Sequence, residues 1–348
     1  MIWLTWRQFR VQALTAATAL AAVAILLGVT GPHLASLYAA SGLGGCHGDG
    51  CANAASAFLG QLQTGALDHV IYPLGLVLIL ATPALLGIFW GAPLIARELE
   101  TGTYRLAWNQ SVTRNRWLAV KLTLTGLAAM AVTEALSLMH AWWAAPISKA
   151  VALGGGASVL SGNHYSWLVF AGHGITPLGY AAFAFTLGTA AGALIRRTVP
   201  AMAVTLAIFA LAQVPMPLWV RPVIIPPVQT IATVDAAGVN FGSLTASDVP
   251  GQPGAWVVSS YAVNAAGQHV TALPASCFPQ SSSAKFNGDP AQCMDKLGIR
   301  EVVSYQPASR YWPIQLIETG IFLALALALA WFCFWRLDRR RALCAKGA

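Results

Sequence analysis

"ARELETGTYRLAWNQSVTRNRW", residues 96–117, is the most polar stretch in the first 145 residues of the chain. Arg97, Glu98, Glu100, Arg105, Arg114 and Arg116 fall within it, and long apolar runs flank it on both sides. The chain as a whole is 57% hydrophobic and only 9% charged. A water-soluble domain carries roughly a quarter charged residues, so this chain cannot cover a water-facing surface with what it has. The flanking runs are each long enough to cross the ~30 Å of a bilayer's hydrocarbon. The reading is therefore an all-α polytopic membrane protein, with residues 96–117 as a loop between two crossings.

Working outward from that loop places six spans: Ala13–Thr30, Val70–Ile95, Trp117–Ala145, Gly174–Ile195, Val199–Val220 and Pro313–Trp335. The alternating ten-residue pattern of a membrane β-barrel is absent. The net charge of +8 does not indicate nucleic acid, because the basic residues flank spans and form no stripe interleaved with aromatics. With the N-terminus inside, the inner segments hold Arg7, Arg10, Arg97, Arg105, Arg114, Arg116, Lys121, Arg196, Arg197, Arg336, Arg339, Arg340, Arg341 and Lys346. The inverted topology would put the short arginine-rich loops outside, against the positive-inside rule. Both termini are thus expected in the cytoplasm and the chain in the plasma membrane. Tryptophans near the proposed span ends fit interfacial belts.

The domain reading follows from the spans. Residues 1–12 are expected to form an interfacial helix, with Ile2, Trp6, Phe9 and Ala13 on one face; a frayed basic end and a cleaved signal peptide are the competing accounts. Residues 13–220 hold spans one to five, residues 221–312 an extracellular domain, 313–336 span six and 337–348 a cytoplasmic tail. Four of six cysteines fall outside as two local pairs, Cys46/Cys51 and Cys277/Cys293, which suits disulfides in an oxidising compartment. "CHGDGC" sets a histidine beside a cysteine, but this spacing lacks a fourth zinc ligand, so no metal is expected. A short helix is expected over Ala54–Leu67, a strand in "AWVVSSYAVNA", and a partly embedded lead-in to span four at Tyr165–Ala171.

Inside the membrane Glu134, in span three, is the clearest anomaly, since a carboxylate there is costly unless it faces protein or water. It can meet a cationic substrate or serve as a gate; it can equally be a structural Glu bonded by Thr133 or Ser137. His140 lies further along the same span and reads as an interface residue. Glu318, early in span six, can be paired or hydrated. Thr205, Phe209 and Gln213 form one stripe on span five, which is also what ordinary helix packing produces. Pro83 should kink or loosen span two. Gly188, Gly192 and Ala184 in span four permit close helix approach. No Ser/His/Asp or paired-carboxylate catalytic set is present in the sequence.

A solvated turn would account for residues 96–117, and so would a docking segment. The stretch breaks at Gly102 and restarts a helix with Ser111 or Thr113 as a possible N-cap. Glu98, Glu100, Gly102, Thr103, Thr113, Arg114, Lys121 and Leu122 resemble the inner loop of the ABC-2 type permease family, the membrane half of one class of ATP-binding cassette exporters. "TWRQFRVQ" together with "IARELETGTYRLAW" looks similar to the actinobacterial branch. The resemblance implies that the loop is a coupling helix, with Glu98, Glu100, Thr101, Gly102, Thr103, Tyr104 and Arg105 seated against a separate cytoplasmic ATPase. It implies two ATPase copies carrying ATP and Mg, and a second permease copy forming a homodimer. It also places a substrate path for a drug, antibiotic, peptide or lipid between spans two and five of the two copies, where Glu134, Thr205, Phe209 and Gln213 become candidates. No G-x-x-x-x-G-K-[ST] loop is present, so this chain is expected to bind no nucleotide itself and to be no enzyme. A membrane enzyme acting on lipid or cell-wall precursors, with Glu134 and a histidine as acid and base, and a signalling scaffold are the alternatives.

The orientation has a direct check. In sealed cells an Asn109→Cys variant should resist an impermeant thiol reagent added outside and react after permeabilisation; labelling from outside would invert the topology.

Overall fold

The computed structural model describes residues 2–345 apart from 47–49, 66–67, 103–112, 154–164, 234–238, 241–242, 245–248, 250–251, 253, 271–276 and 278–289. Six helical segments among the described residues are long and apolar enough to cross a membrane: Phe9–Ala40, Asp68–Thr101, Asn115–Trp143, Thr176–Ile195, Thr198–Val223 and Ala308–Arg336. Each overlaps one expected span, so the chain is a multi-pass membrane protein. Thr103, Tyr104 and Arg105 lie outside the described residues, as does the tip of the loop between spans two and three.

The N-terminal residues are helical, as expected, and continue without a break into span one: α1 runs from Ile2 to Ala40, its membrane-length part beginning at Phe9. Nothing between Ile2 and Ala13 is a glycine or proline, and the helix stops at Ala40, just before Gly42, which takes a left-handed φ of 70°. At 1.5 Å per residue its 39 residues extend ~58 Å, well beyond the bilayer's hydrocarbon. The Cys46–Cys51 disulfide then turns the chain into α2, Gly50–Thr64, which begins earlier than expected. This helix packs Phe58, Leu59 and Leu62 with Leu34 of α1 and with Trp143, Ile147 and Ala150 around the end of span three.

Span two is built from three pieces. Helix α3, Asp68–Leu86, passes into a π turn at Gly87–Gly91 and then into α4, Ala92–Thr101. The irregularity expected at Pro83 therefore appears one turn later, where Ala92 N–H donates to Gly87 O. The turn lies where span two comes closest to span four. A Cβ on Gly87 would sit 2.6 Å from the carbonyl oxygen of Ala184, and one on Gly91 would collide with that of Phe185.

The receiving surface is α8, Thr176–Ile195, which is span four. It follows α5 (Arg114–Trp143), α6 (Ala145–Ala152) and the short lead-in helix α7 (Trp167–Gly172). Small residues fill α8, and 78% of its most apolar window is buried, far more than in any other span. Spans two, three, five and six all pack on it. Gly188 faces the Gly87 carbonyl and Gly192 faces that of Ala92, each at a distance no Cβ tolerates. Small residues permit such an approach, and here backbone meets backbone.

Span five is α9, Thr198–Gln213, ending in a second π turn, Met216–Val220. The segment after it is no mere loop. An antiparallel sheet of order β1-β6-β4-β5 uses β1 (Val228–Thr233), β4 (Trp256–Val263), β5 (His269–Val270) and β6 (Arg300–Gln306); β2 (Val239–Asn240) and β3 (Ser243–Leu244) pair apart from it. Helix α10, Pro290–Lys296, carries Cys293, which is bonded to Cys277. The paired strands β1 and β6 adjoin spans five and six, the latter being α11, Tyr311–Ala345. The sheet thus hangs on two membrane helices. Tyr165 fastens it to the lead-in of span four, donating to Pro307 O at 2.9 Å and stacking on Trp256 at 5.4 Å; burial raises its phenol pKa well above the usual range.

Overpacking a tight contact typically costs about 1–3 kcal/mol. Gly188→Ala should lower the thermal midpoint of the purified chain in detergent, whereas Gly320→Ala on span six, with open space around it, should leave it unchanged.

Candidate functional site

At the end of the bundle opposite the sheet, the two carboxylates of the opening stretch, Glu98 and Glu100, are engaged by their own chain. Helix α4 ends at Gly102, whose φ of 74° is the left-handed cap that favours glycine. Span three restarts with Thr113 as N-cap, its side chain accepting from Arg116 N–H. Between these ends, the Lys121 ammonium is ion-paired with Glu98 and lies 4.8 Å from the Trp117 ring centroid. Lys121 is buried, so its charge is matched by one carboxylate and one aromatic face. Glu100 accepts from the Thr198 hydroxyl at 2.8 Å and from its amide at 3.3 Å, which caps the first turn of span five.

The expected docking residues therefore divide. Glu98 ties α4 to span three and Glu100 ties it to span five, while Ala92 lies against Gly188 and Gly192 of span four. One short helix is fastened to three spans. Thr101 donates its hydroxyl to the Arg97 carbonyl and ends the helix.

The second polar cluster sits near the sheet end of the membrane; the sequence singled out Glu318 as paired or hydrated without pointing to its partner, Arg221. Arg221, delivered by the π turn at Met216–Val220, donates Nε to Glu318 Oε2 at 2.9 Å and a terminal nitrogen to Oε1 at 3.0 Å. This two-pronged geometry is the strong form of the pair. Tyr180 of span four donates its hydroxyl to the same Oε1, and the guanidinium lies 4.0 Å from the Phe170 ring centroid. Both charged side chains are sealed from solvent, at 2% and 0% exposure. Three spans and the lead-in helix meet on this pair. One turn earlier on span six, Gln315 Oε1 accepts from the amides of Ile175 and Thr176 and from the Thr176 hydroxyl. Its Nε2 donates to the carbonyls of Phe170 and His173. It closes the break between α7 and α8.

Histidines that looked scattered come together. His140 Nδ1 lies 2.9 Å from His173 Nε2, and His140 Nε2 lies 3.1 Å from the Tyr72 carbonyl. Because a carbonyl accepts only, His140 Nε2 carries a proton and donates to it, and the second ring nitrogen faces His173. Both His140 nitrogens are thus occupied within the bundle. Among the described residues no cluster of metal-ligating side chains forms.

Glu134 itself has one buried carboxylate oxygen without a hydrogen-bond partner among the described residues. The hydroxyls that might have served it are used elsewhere: Thr133 donates to Ala129 O and Ser137 to Gly172 O. Thr205 and Phe209 are buried, Phe209 lying 6.3 Å from Phe183 of span four. The stripe on span five thus faces its own bundle. Gln213 Nε2 is buried and, among the described residues, unpartnered.

A family model described as "ABC-2 membrane transporter related" matches residues 17–221, more than half of the chain and all of spans two to four. No curated protein and no solved structure matches.

Removing one partner of a buried ion pair costs about 3–5 kcal/mol, while replacing both by apolar groups is often neutral. Arg221→Met should therefore lower the thermal midpoint in detergent sharply, and Arg221→Met combined with Glu318→Leu should recover most of the loss.

Proposed function

Because the chain belongs to the ABC-2 membrane transporter related family, we propose that it is the membrane-spanning subunit of an ATP-driven exporter. A separate cytoplasmic ATPase, in two copies, supplies the hydrolysis. The permease works as a homodimer, and its cargo is an amphipathic or hydrophobic molecule. Residues 96–117 form the coupling segment, facing the cytosol.

One observation carries this reading: helix α4 is fastened to span three by Glu98–Lys121, to span five by Glu100–Thr198 and to span four by backbone contact at Gly192. A push delivered to the loop that follows Gly102 therefore reaches three membrane helices at once. A solvated turn needs no such anchoring. The carboxylates transmit force within the chain, and the loop beyond Gly102, with Thr103, Tyr104 and Arg105, makes the contact with the ATPase. Helix α4 also continues span two through the π turn, an irregularity that recurs at functional sites in helices and that lets the two halves of the span move against each other.

Glu134 and Gln213 supply polar groups to the cargo path. Each holds a buried polar atom with no partner among the described residues, and such atoms are costly unless something occupies or hydrates them. Thr205 and Phe209 line the path only when span five separates from span four.

The test purifies the tagged chain from its native membranes together with the cassette ATPase bound to it. Tyr104→Ala with Arg105→Glu should abolish ATPase co-purification and leave the chain's own thermal midpoint unchanged. Glu98→Arg with Glu100→Arg should reduce co-purification and also lower that midpoint. An intact, transporting complex in the first variant refutes the docking assignment.

A further inference from the structure

Spans one, two and three enclose a groove that the exporter reading does not use. At the loop end lies a cavity of about 450 Å³ whose polar lining includes Gln12, Arg97, Glu98 and Lys121. A second cavity of about 370 Å³ continues between the same three helices toward the sheet end, lined by small and apolar residues such as Ala16, Ala19, Leu78 and Leu136. Trp90 borders both and is held edge-on by Phe9 at 4.7 Å. Gln12 donates to the Phe89 carbonyl within the π turn, so the junction is braced across spans one and two.

Length and charge identify the occupant. On span two the apolar part runs from Leu78 to Trp90, ~18 Å at 1.5 Å per residue. That is close to one leaflet's share of the ~30 Å hydrocarbon core. A groove one leaflet long, apolar along its length and charged at its interfacial end, matches an acyl chain and its headgroup. Lys121 is balanced by Glu98, which leaves the exposed Arg97 as the excess charge at the rim. A guanidinium fork fits phosphate, and the net positive end complements an anionic headgroup.

We infer that this groove binds one anionic glycerophospholipid of the leaflet at the loop end, with an acyl chain between spans one, two and three and its phosphate at Arg97. The headgroup then abuts the Glu98–Lys121 tie at the root of the coupling segment. The lipid fills the space beside the force-bearing helix and stiffens it.

Native mass spectrometry of the full-length purified chain in detergent, titrated with phosphatidylglycerol or phosphatidylcholine of the same acyl composition, reads the binding directly. The chain should retain one phosphatidylglycerol in preference to phosphatidylcholine. Arg97→Gln should cut phosphatidylglycerol retention about fivefold, the worth of one basic residue near an anionic lipid, and leave phosphatidylcholine unchanged. Ala19→Phe, which fills the groove from an exposed position, should cut both. Equal retention of the two lipids with no effect of Arg97→Gln would overturn the assignment, as would displacement of the lipid by inorganic phosphate, which marks a free-anion site. Cross-linking of two Ala19→Cys chains through that position in membranes would overturn it too, since a second copy would then fill the groove. The readout needs no ATPase, so failure of the docking assignment and failure of the lipid site are separable.

Discussion

The close approach of span two to span four sets the terms for everything else in this molecule. Hydrocarbon offers helices no hydrophobic reason to associate, so packing and internal hydrogen bonds must hold them. Gly87 and Gly91 on one side and Gly188 and Gly192 on the other remove the side chains that would keep the backbones apart. The consequence is positional. Helix α4 starts where the contact is tightest, so its ties to spans three and five act from a fixed point.

Polar groups in the bundle fall into two sorts, those that satisfy one another and those left with an open valence. Arg221, Glu318, Tyr180 and Gln315 satisfy one another or the free backbone ends around the α7–α8 break. Buried backbone and charged groups demand that much. Glu134, Gln213 and Thr319 depart from it, each with a buried polar atom unpartnered among the described residues. A family resemblance could not have sorted these residues, since all of them look alike as polar letters in apolar runs.

Much of the architecture was legible. Apolar run length placed all six crossings, the αL glycine at 102 and the Thr113 cap marked the ends of the loop, and the two cysteine pairs closed as their local spacing suggested. The N-terminal helix runs on into span one, and helix-compatible sequence without a breaker carries no mark of where water gives way to lipid. The histidine pair and the Arg221–Glu318 pair join residues far apart in sequence, and each partner alone reads as an ordinary interfacial residue. The loop's carboxylates stood out in sequence but their partners did not: nothing in "ARELETG" says that Glu98 reaches Lys121 or that Glu100 reaches Thr198.

Sequence alone determined that this chain lives in a membrane, how many times it crosses and where its polar loop lies, because those follow from the solvation of consecutive residues. Only the tertiary structure decided which helix stands at the centre, what Lys121 and Arg221 are paired with and which three helices the loop's root is fastened to. Those depend on which distant backbones come within contact, and that distance is written in no local window of the chain.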